Sequence, residues 1–129
     1  RVLGDVYKRQ ELHPVTHGER ITELIDVVGS VYVADVVKDY LVNIVAATRS
    51  HDAVRLGASP RASLHLIRTA RAKAALAGRD YVIPDDVQAM AIPVLAHRLL
   101  PSTRAQLDGI SPVDIVSQIL TSTPVPEQA

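Results

Sequence analysis

Leu56-Gly57-Ala58-Ser59-Pro60-Arg61-Ala62 opens the segment whose reading decides the fold, because the alanine- and leucine-rich run from Pro60 to Ala77 is the strongest helix signal in the chain. Ser59 is a favoured helix-capping residue, Pro60 suits the first helical position, and Gly78 is a good residue on which to stop. A turn of about 100° per residue puts Leu64, Leu66, Ile67, Ala70, Ala74 and Ala77 over one broad face, with Arg61, His65 and Arg68 along the other. Arg61 falls at the second helical position, beside backbone N–H groups that have no intrahelical partner. An anion reaching this end would meet both a guanidinium and the positive end of the helix dipole.

Working outward, Ile21, Leu24, Ile25 and Val28 recur at i, i+3, i+4 and i+7 and predict a helix over 18–28, with Thr16 and Glu19 as a capping box and Gly29 as its stop. Val31-Tyr32-Val33 alternates and is β-prone. Asp35 then opens a helix to about Arg49 that carries Val37, Tyr40, Leu41, Ile44 and Val45 inward. Tyr81-Val82-Ile83 is again short and β-prone, and Pro84-Asp85-Asp86 starts a helix with acids in its first turn. Ile83 stands where a capping side chain is usual, which weakens that start by about 1 kcal/mol. Pro93 should break or kink this helix, which ends before Pro101. The Pro101-Ser102-Thr103-Arg104 stretch reads as an unremarkable loop. A last helix opens at Ser111-Pro112-Val113-Asp114 and presents Val113, Val116, Ile119 and Leu120. The expectation is an all-α bundle of about five helices with at most short extended segments, occupying residues 11–121, followed by a disordered tail over 122–129.

Composition narrows the function classes. With 129 residues, nearly half of them apolar, one compact domain is expected. Lys plus Arg equals Asp plus Glu at 14 each, so no global field attracts nucleic acid or an anionic membrane. The chain has no cysteine, which removes disulfides and thiolate metal sites. No apolar run approaches the roughly 20 residues that cross a bilayer, and no signal-peptide pattern is visible, so a cytoplasmic protein is the expectation. The chain opens on arginine, and its one methionine, Met90, lies inside a predicted helix, which points to a longer parent. Asp5 to Gln10 matches a reading of a transposon end used as a sequencing adaptor, so residues 1–10 are expected to stand outside the domain.

Taken in succession, Ala47-Thr48-Arg49-Ser50-His51, LGASPRA at 56–62, Ala77-Gly78-Arg79-Asp80-Tyr81-Val82, Pro84-Asp85-Asp86-Val87 and Val94-Leu95-Ala96-His97-Arg98-Leu99 resemble the C-terminal lid domain of the MoxR family of AAA+ ATPases over roughly residues 11–121. The resemblance implies that Arg61, in the Ser59-Pro60-Arg61 element, is the sensor-2 arginine that reads nucleotide phosphates; Ser59 and Pro60, and Arg68 from the polar face of the same helix, are the further candidate nucleotide-binding residues. It implies ATP with Mg as the cofactor, held mainly by a preceding α/β core domain, assembly into a ring, with a hexamer expected, and chaperone-like work on client complexes that often include proteins with von Willebrand factor A domains. In keeping with a separate core, this chain has no G-x-x-x-x-G-K-[ST] loop and no apolar strand ending in acids, so alone it should not hydrolyse ATP.

Other candidates carry less. Arg71 could extend a phosphate-facing patch with Arg68, although charges on an exposed helix face are ordinarily just solvated. Arg49 and His51 could brace the loop ahead of Arg61, or serve as ordinary cations at a helix C-terminus. Arg79 and Asp80 read as a structural turn, and His97-Arg98 as structural. His13 and His17 are four apart, but Pro14 and Gly18 oppose a helical pair, so no metal site is expected. Two other classes stay open on the residues alone. One is a helical nucleic-acid-binding module using Arg61, Arg68 and Arg71 on phosphates, disfavoured by zero net charge. The other is a helical interaction domain without nucleotide chemistry.

Overall fold

The computed structural model describes residues 11–127; the expectation about residues 1–10 lies outside them. The order is α1 (Gly18–Gly29), α2 (Asp35–Ser50), β1 (Val54–Leu56), α3 (Pro60–Leu76), α4 (Pro84–Leu95), a 3₁₀ turn (Ala96–Arg98), β2 (Leu100–Pro101), α5 (Thr103–Leu107) and α6 (Pro112–Ser122). This is a helical bundle with a single small antiparallel ribbon, in which Val54 pairs with Pro101 and Leu56 with Leu100 among the described residues.

α2 forms the inner wall, because Val37, Tyr40, Leu41, Ile44 and Val45 fall on one stripe and are all buried, as their spacing predicts, while Val36 and Val42 lie off it and are exposed. α3 lies against it through Ala62, Leu66, Ala70 and Ala74, four positions at a strict i+4 interval. The three alanines keep this face shallow, and α4 packs closely along it with Val87, Ala91 and Leu95 buried. α6 closes the core with Ile115, Val116 and Ile119. Leu64 departs from expectation: it stands 200° around the helix from Ala62 and is 55% exposed, so the core face of α3 is narrower than the composition suggests.

Several local expectations change. The N-cap of α1 is His17, whose Nδ1 accepts from the Arg20 N–H at 3.4 Å, rather than Thr16 with Glu19. Pro93 sits inside α4 without ending it; it is solvent-facing, as is Ala89, whose carbonyl loses its N–H partner, and α4 passes into the 3₁₀ turn two residues later. The stretch at 101–104 is no plain loop. Pro101 closes β2, the Ser102 N–H donates to the Ala53 carbonyl at 2.8 Å, and the Ser102 hydroxyl caps α5 through the Ala105 N–H at 3.1 Å. Ser111 and Asp114 form the reciprocal cap of α6 at 3.1 and 2.9 Å, in line with the sequence. Beyond α6, residues 124–127 have no regular secondary structure, and Pro126 lines the same groove as Tyr81 and Pro84.

The extended segments meet as well. Tyr32 and Tyr81 form a parallel bridge, with the Tyr32 N–H donating to Asp80 and the Val82 N–H donating to Tyr32, each at 2.8 Å. Gly78, at φ 79°, supplies the left-handed residue that turns α3 toward this bridge. The turn also delivers Arg79 to Asp86. The two form a bidentate ion pair at 2.7 Å for both contacts, while Asp86 accepts the Ile83 N–H at 2.9 Å. Asp86, only 2% exposed, thus supplies the reverse half of a capping box by accepting the N–H of the N-cap residue, while Ile83 has no side-chain acceptor to offer the first turn. Burial pushes its carboxyl pKa up, but the hydrogen bonds from Arg79 and the Ile83 N–H outweigh that and hold it below the usual carboxylate range.

Candidate functional site

The LGASPRA segment is anchored to the end of α2. Ala58 is almost fully buried; its N–H donates to the Thr48 hydroxyl at 3.0 Å, and its carbonyl accepts from the Arg49 guanidinium at 3.1 Å. Thr48, fully buried, turns its own hydroxyl proton to the Val45 carbonyl at 2.6 Å. Gly57 crosses so close to this turn that a Cβ on it would lie 2.5 Å from the Thr48 carbonyl oxygen. A side chain is excluded there by backbone, which explains the glycine.

From this anchor the chain enters α3. Ser59 occupies the N-cap with extended backbone (φ −74°, ψ 163°) and Pro60 the first helical position, as expected, but the Ser59 hydroxyl makes no capping hydrogen bond. The Ala62 N–H bonds the Ser59 carbonyl at 2.9 Å, whereas the Arg61 N–H has no partner among the described residues. The Arg61 side chain is exposed and forms neither a hydrogen bond nor an ion pair among the described residues. Ser59, Pro60 and Arg61 are therefore gathered at one helix N-terminus, with an unused hydroxyl, an unused N–H and an unused guanidinium.

The other candidates lie apart from that cluster. Arg68 is exposed and sits two turns on, about 10 Å along the axis. With Arg71 and Ala72 it lines a groove of about 460 Å³ whose other wall is Ile21, Leu24, Ile25, Val28 and Gly29 of α1. Arg71 already donates its Nε to the Val31 carbonyl at 3.0 Å, so it braces the turn between α1 and α2. His51 accepts the Ala53 N–H through Nδ1 at 3.1 Å and shapes the approach to β1, while Arg49 braces the loop directly. Arg98 donates its Nε to Val94 at 3.0 Å, and His97 is solvent-facing. A second groove, about 430 Å³, runs between Val36, Val37, Tyr81 and Pro84, beside Arg79. It adjoins the far end of α3, roughly 24 Å from Arg61 along a helix of 17 residues. Neither groove is lined by Ser59, Pro60 or Arg61.

Two participants escape sequence reading. Thr48 lies in one of the quoted motifs, yet its hydrogen-bonding role is not readable there; it arises only because Gly57 lets the loop approach. The Arg79–Asp86 pair joins two motifs, Gly-Arg-Asp and Pro-Asp-Asp, that read separately as a turn and a helix start.

α1 adds a further feature. Its predicted apolar stripe exists, yet none of its residues is buried, and Ile21, Leu24 and Ile25 are between 44% and 65% exposed. Among the described residues no helix is long and apolar enough to cross a membrane, and no group of three His, Asp or Glu could hold a metal ion.

Residues 46–119, more than half of the chain, match the AAA lid domain family. The chain is 42% identical over 119 residues to the uncharacterized protein YeaC of Bacillus subtilis, covering 92% of this chain and 37% of that protein. It is 37% identical over 116 residues to chaperone MoxR1 of Mycobacterium tuberculosis, covering 83% and 31% respectively. Protein MoxR of Paracoccus denitrificans is 40% identical over 85 residues, covering 62% of this chain and 25% of its own length. A crystal structure of a Cytophaga hutchinsonii protein described as a candidate ATPase superposes with a TM-score of 0.75 at 30% identity, over 79% of this chain and 34% of that one. The chain thus spans about a third of the length of the first two relatives. On the family match and the MoxR relatives together, the chain belongs to the AAA lid domain family, in its MoxR-like AAA+ branch.

Proposed function

We propose that this domain is the lid of a chaperone-like MoxR-type ATPase and that Arg61 reads the phosphates of a nucleotide held jointly with an adjoining core domain. The observation that carries the reading is the state of the α3 N-terminus. Arg61 is exposed and unpaired among the described residues, next to its own unpartnered N–H, in the first turn of a helix whose preceding loop is tied to the core. Isolated charges of this kind are common; one mounted at the positive end of a 17-residue helix, with a vacant serine hydroxyl beside it, suits an anion with several oxygens.

The residues present fit the phosphate end of ATP. Arg61 would donate to phosphate oxygens, the Ser59 hydroxyl would add a neutral donor, Pro60 sets the helix start, and Arg68 would contribute charge from further along α3. ATP with Mg supplies the hydrolysable phosphoanhydride, and the metal would be held by the core domain. A guanidinium near the terminal phosphate offsets negative charge and links the lid's position to whether that phosphate is present. The half-exposed stripe of α1 suits contact with a neighbouring domain, in keeping with a core partner and a ring assembly, a hexamer in this reading. Clients bearing von Willebrand factor A domains and a cytoplasmic location belong to the same proposal.

The test is steady-state ATP hydrolysis by the full-length protein. Arg61→Ala is expected to lower kcat by tenfold or more, on the order expected for removing a phosphate-facing cation, with the circular dichroism spectrum unchanged. Turnover equal to wild type would refute the reading.

A further inference from the structure

The geometry points to Thr48 and Arg49 as positioning residues for Arg61: consecutive side chains at the end of α2 hold the two backbone polar atoms of Ala58, three residues ahead of Arg61, and so tie the first turn of α3 to the core. The inference rests on the reading of Arg61 as the phosphate-sensing residue. Its foundation is the division of labour around Ala58, where the N–H goes to Thr48 at 3.0 Å and the carbonyl to Arg49 at 3.1 Å. Both contacts to one residue fix the orientation of its two flanking peptide planes.

No side-chain hydrogen bond inside the first turn of α3 does this work among the described residues. The Ser59 hydroxyl makes no cap and the Arg61 N–H has no partner among the described residues, so the start of α3 is located by the packing of buried Ala62 and by the grip of α2 on Ala58. The link from Ala58 to Arg61 is short and stiff, because Pro60 has its φ locked by the ring. On the other side, Gly57 lies against the Thr48 carbonyl with no space for a Cβ, which leaves the loop no slack toward α2. Ile44, Val45 and Thr48 are fully buried, so the anchor itself belongs to the packed core of the bundle. A small displacement of Ala58 would pass into the Arg61 Cα and be magnified along its side chain. Misplacement by about 1 Å can cost two orders of magnitude in rate when electrostatic positioning is the whole contribution.

The experiment is a set of double-mutant cycles on ATP turnover by the full-length protein. Thr48→Val keeps the shape of the side chain and removes the acceptor for the Ala58 N–H. Thr48→Ser keeps the hydroxyl. Arg49→Met keeps the aliphatic stem, removes the donor, and lies on an exposed residue, so it carries the test should Thr48→Val fail to fold. Thr48→Val and Arg49→Met are each expected to lower kcat by about tenfold with KM for ATP little changed, Thr48→Ser to restore turnover, and neither loss to appear in an Arg61→Ala background. If both variants turn over like wild type while Arg61→Ala does not, the positioning role is overturned and the reading of Arg61 survives. Losses that multiply with that of Arg61→Ala would mark a general structural effect and equally overturn it. Should Arg61→Ala itself leave turnover intact, the reading beneath the inference fails, and the inference with it.

Discussion

Replacing Asp86 with alanine removes three hydrogen bonds at once, two from the Arg79 guanidinium at 2.7 Å and one from the Ile83 N–H at 2.9 Å. Arg79 retains partial access to water, with its side chain 23% exposed, so it is not stranded by the change, and the cost falls short of that for a fully buried pair. Hydrogen bonds to a charged group contribute about 2 kcal/mol net, and loss of a helix cap about 1 kcal/mol, for a total near 3 kcal/mol. For a domain of this size that lowers Tm by about 12 °C. The pH dependence follows from the direction of the Asp86 shift. Its pKa is depressed in the folded state, so the proton binds the unfolded chain more readily. The stabilisation is complete above the ordinary carboxylate pKa near 4 and disappears as pH falls through the lower folded value. Thermal unfolding followed by circular dichroism at neutral pH and at successively lower pH should show a gap between wild type and Asp86→Ala that is widest at neutrality and closes in acid. A gap below about 2 °C at neutral pH, or one that stays constant into strong acid, would refute this account of the α4 start.

Gly57→Ala should destabilise the domain by about 2 kcal/mol or more, read as a lower urea midpoint, because the added methyl meets the backbone of Thr48 and Arg49 rather than a movable side chain. A midpoint equal to wild type would mean that the loop sits further from α2. Leu66→Ala should cost about 3 kcal/mol and Leu64→Ala less than about 1, since one side chain is fully buried and the other is more than half exposed. Equal losses in a denaturant titration would restore the broader core face that the sequence alone suggests.

Those two leucines show why part of the fold was legible and part was not. On α2, Val37, Tyr40, Leu41, Ile44 and Val45 repeat at i, i+3, i+4, i+7 and i+8, and all five are buried, while Val36 and Val42, off that repeat, are exposed. On α3 alanine and leucine are spread around the helix between Arg61, His65, Arg68, Arg71 and Lys73, and a helical wheel cannot tell which sector an alanine-lined partner will take. The Ser111–Asp114 cap was legible because both partners lie within four residues. The Arg79–Asp86 pair was not, since it depends on the left-handed turn at Gly78 bringing two separate motifs together. At the candidate site, the placement of Ser59, Pro60 and Arg61 at a helix start follows from local chemistry. The grip of Thr48 on Ala58 is tertiary, created by a glycine whose missing side chain becomes meaningful only against the end of α2. α5 was missed because five residues are too few for a periodic signal to emerge.

The central claim is that Arg61 distinguishes a triphosphate from a diphosphate. The most direct measurement is calorimetric titration of the full-length protein, wild type and Arg61→Ala, with a non-hydrolysable ATP analogue and with ADP. The wild type should bind the triphosphate more tightly, and the variant should lose about tenfold or more of that preference, equivalent to at least 1.4 kcal/mol, with little change in ADP affinity. An unchanged preference in the variant would contradict the account.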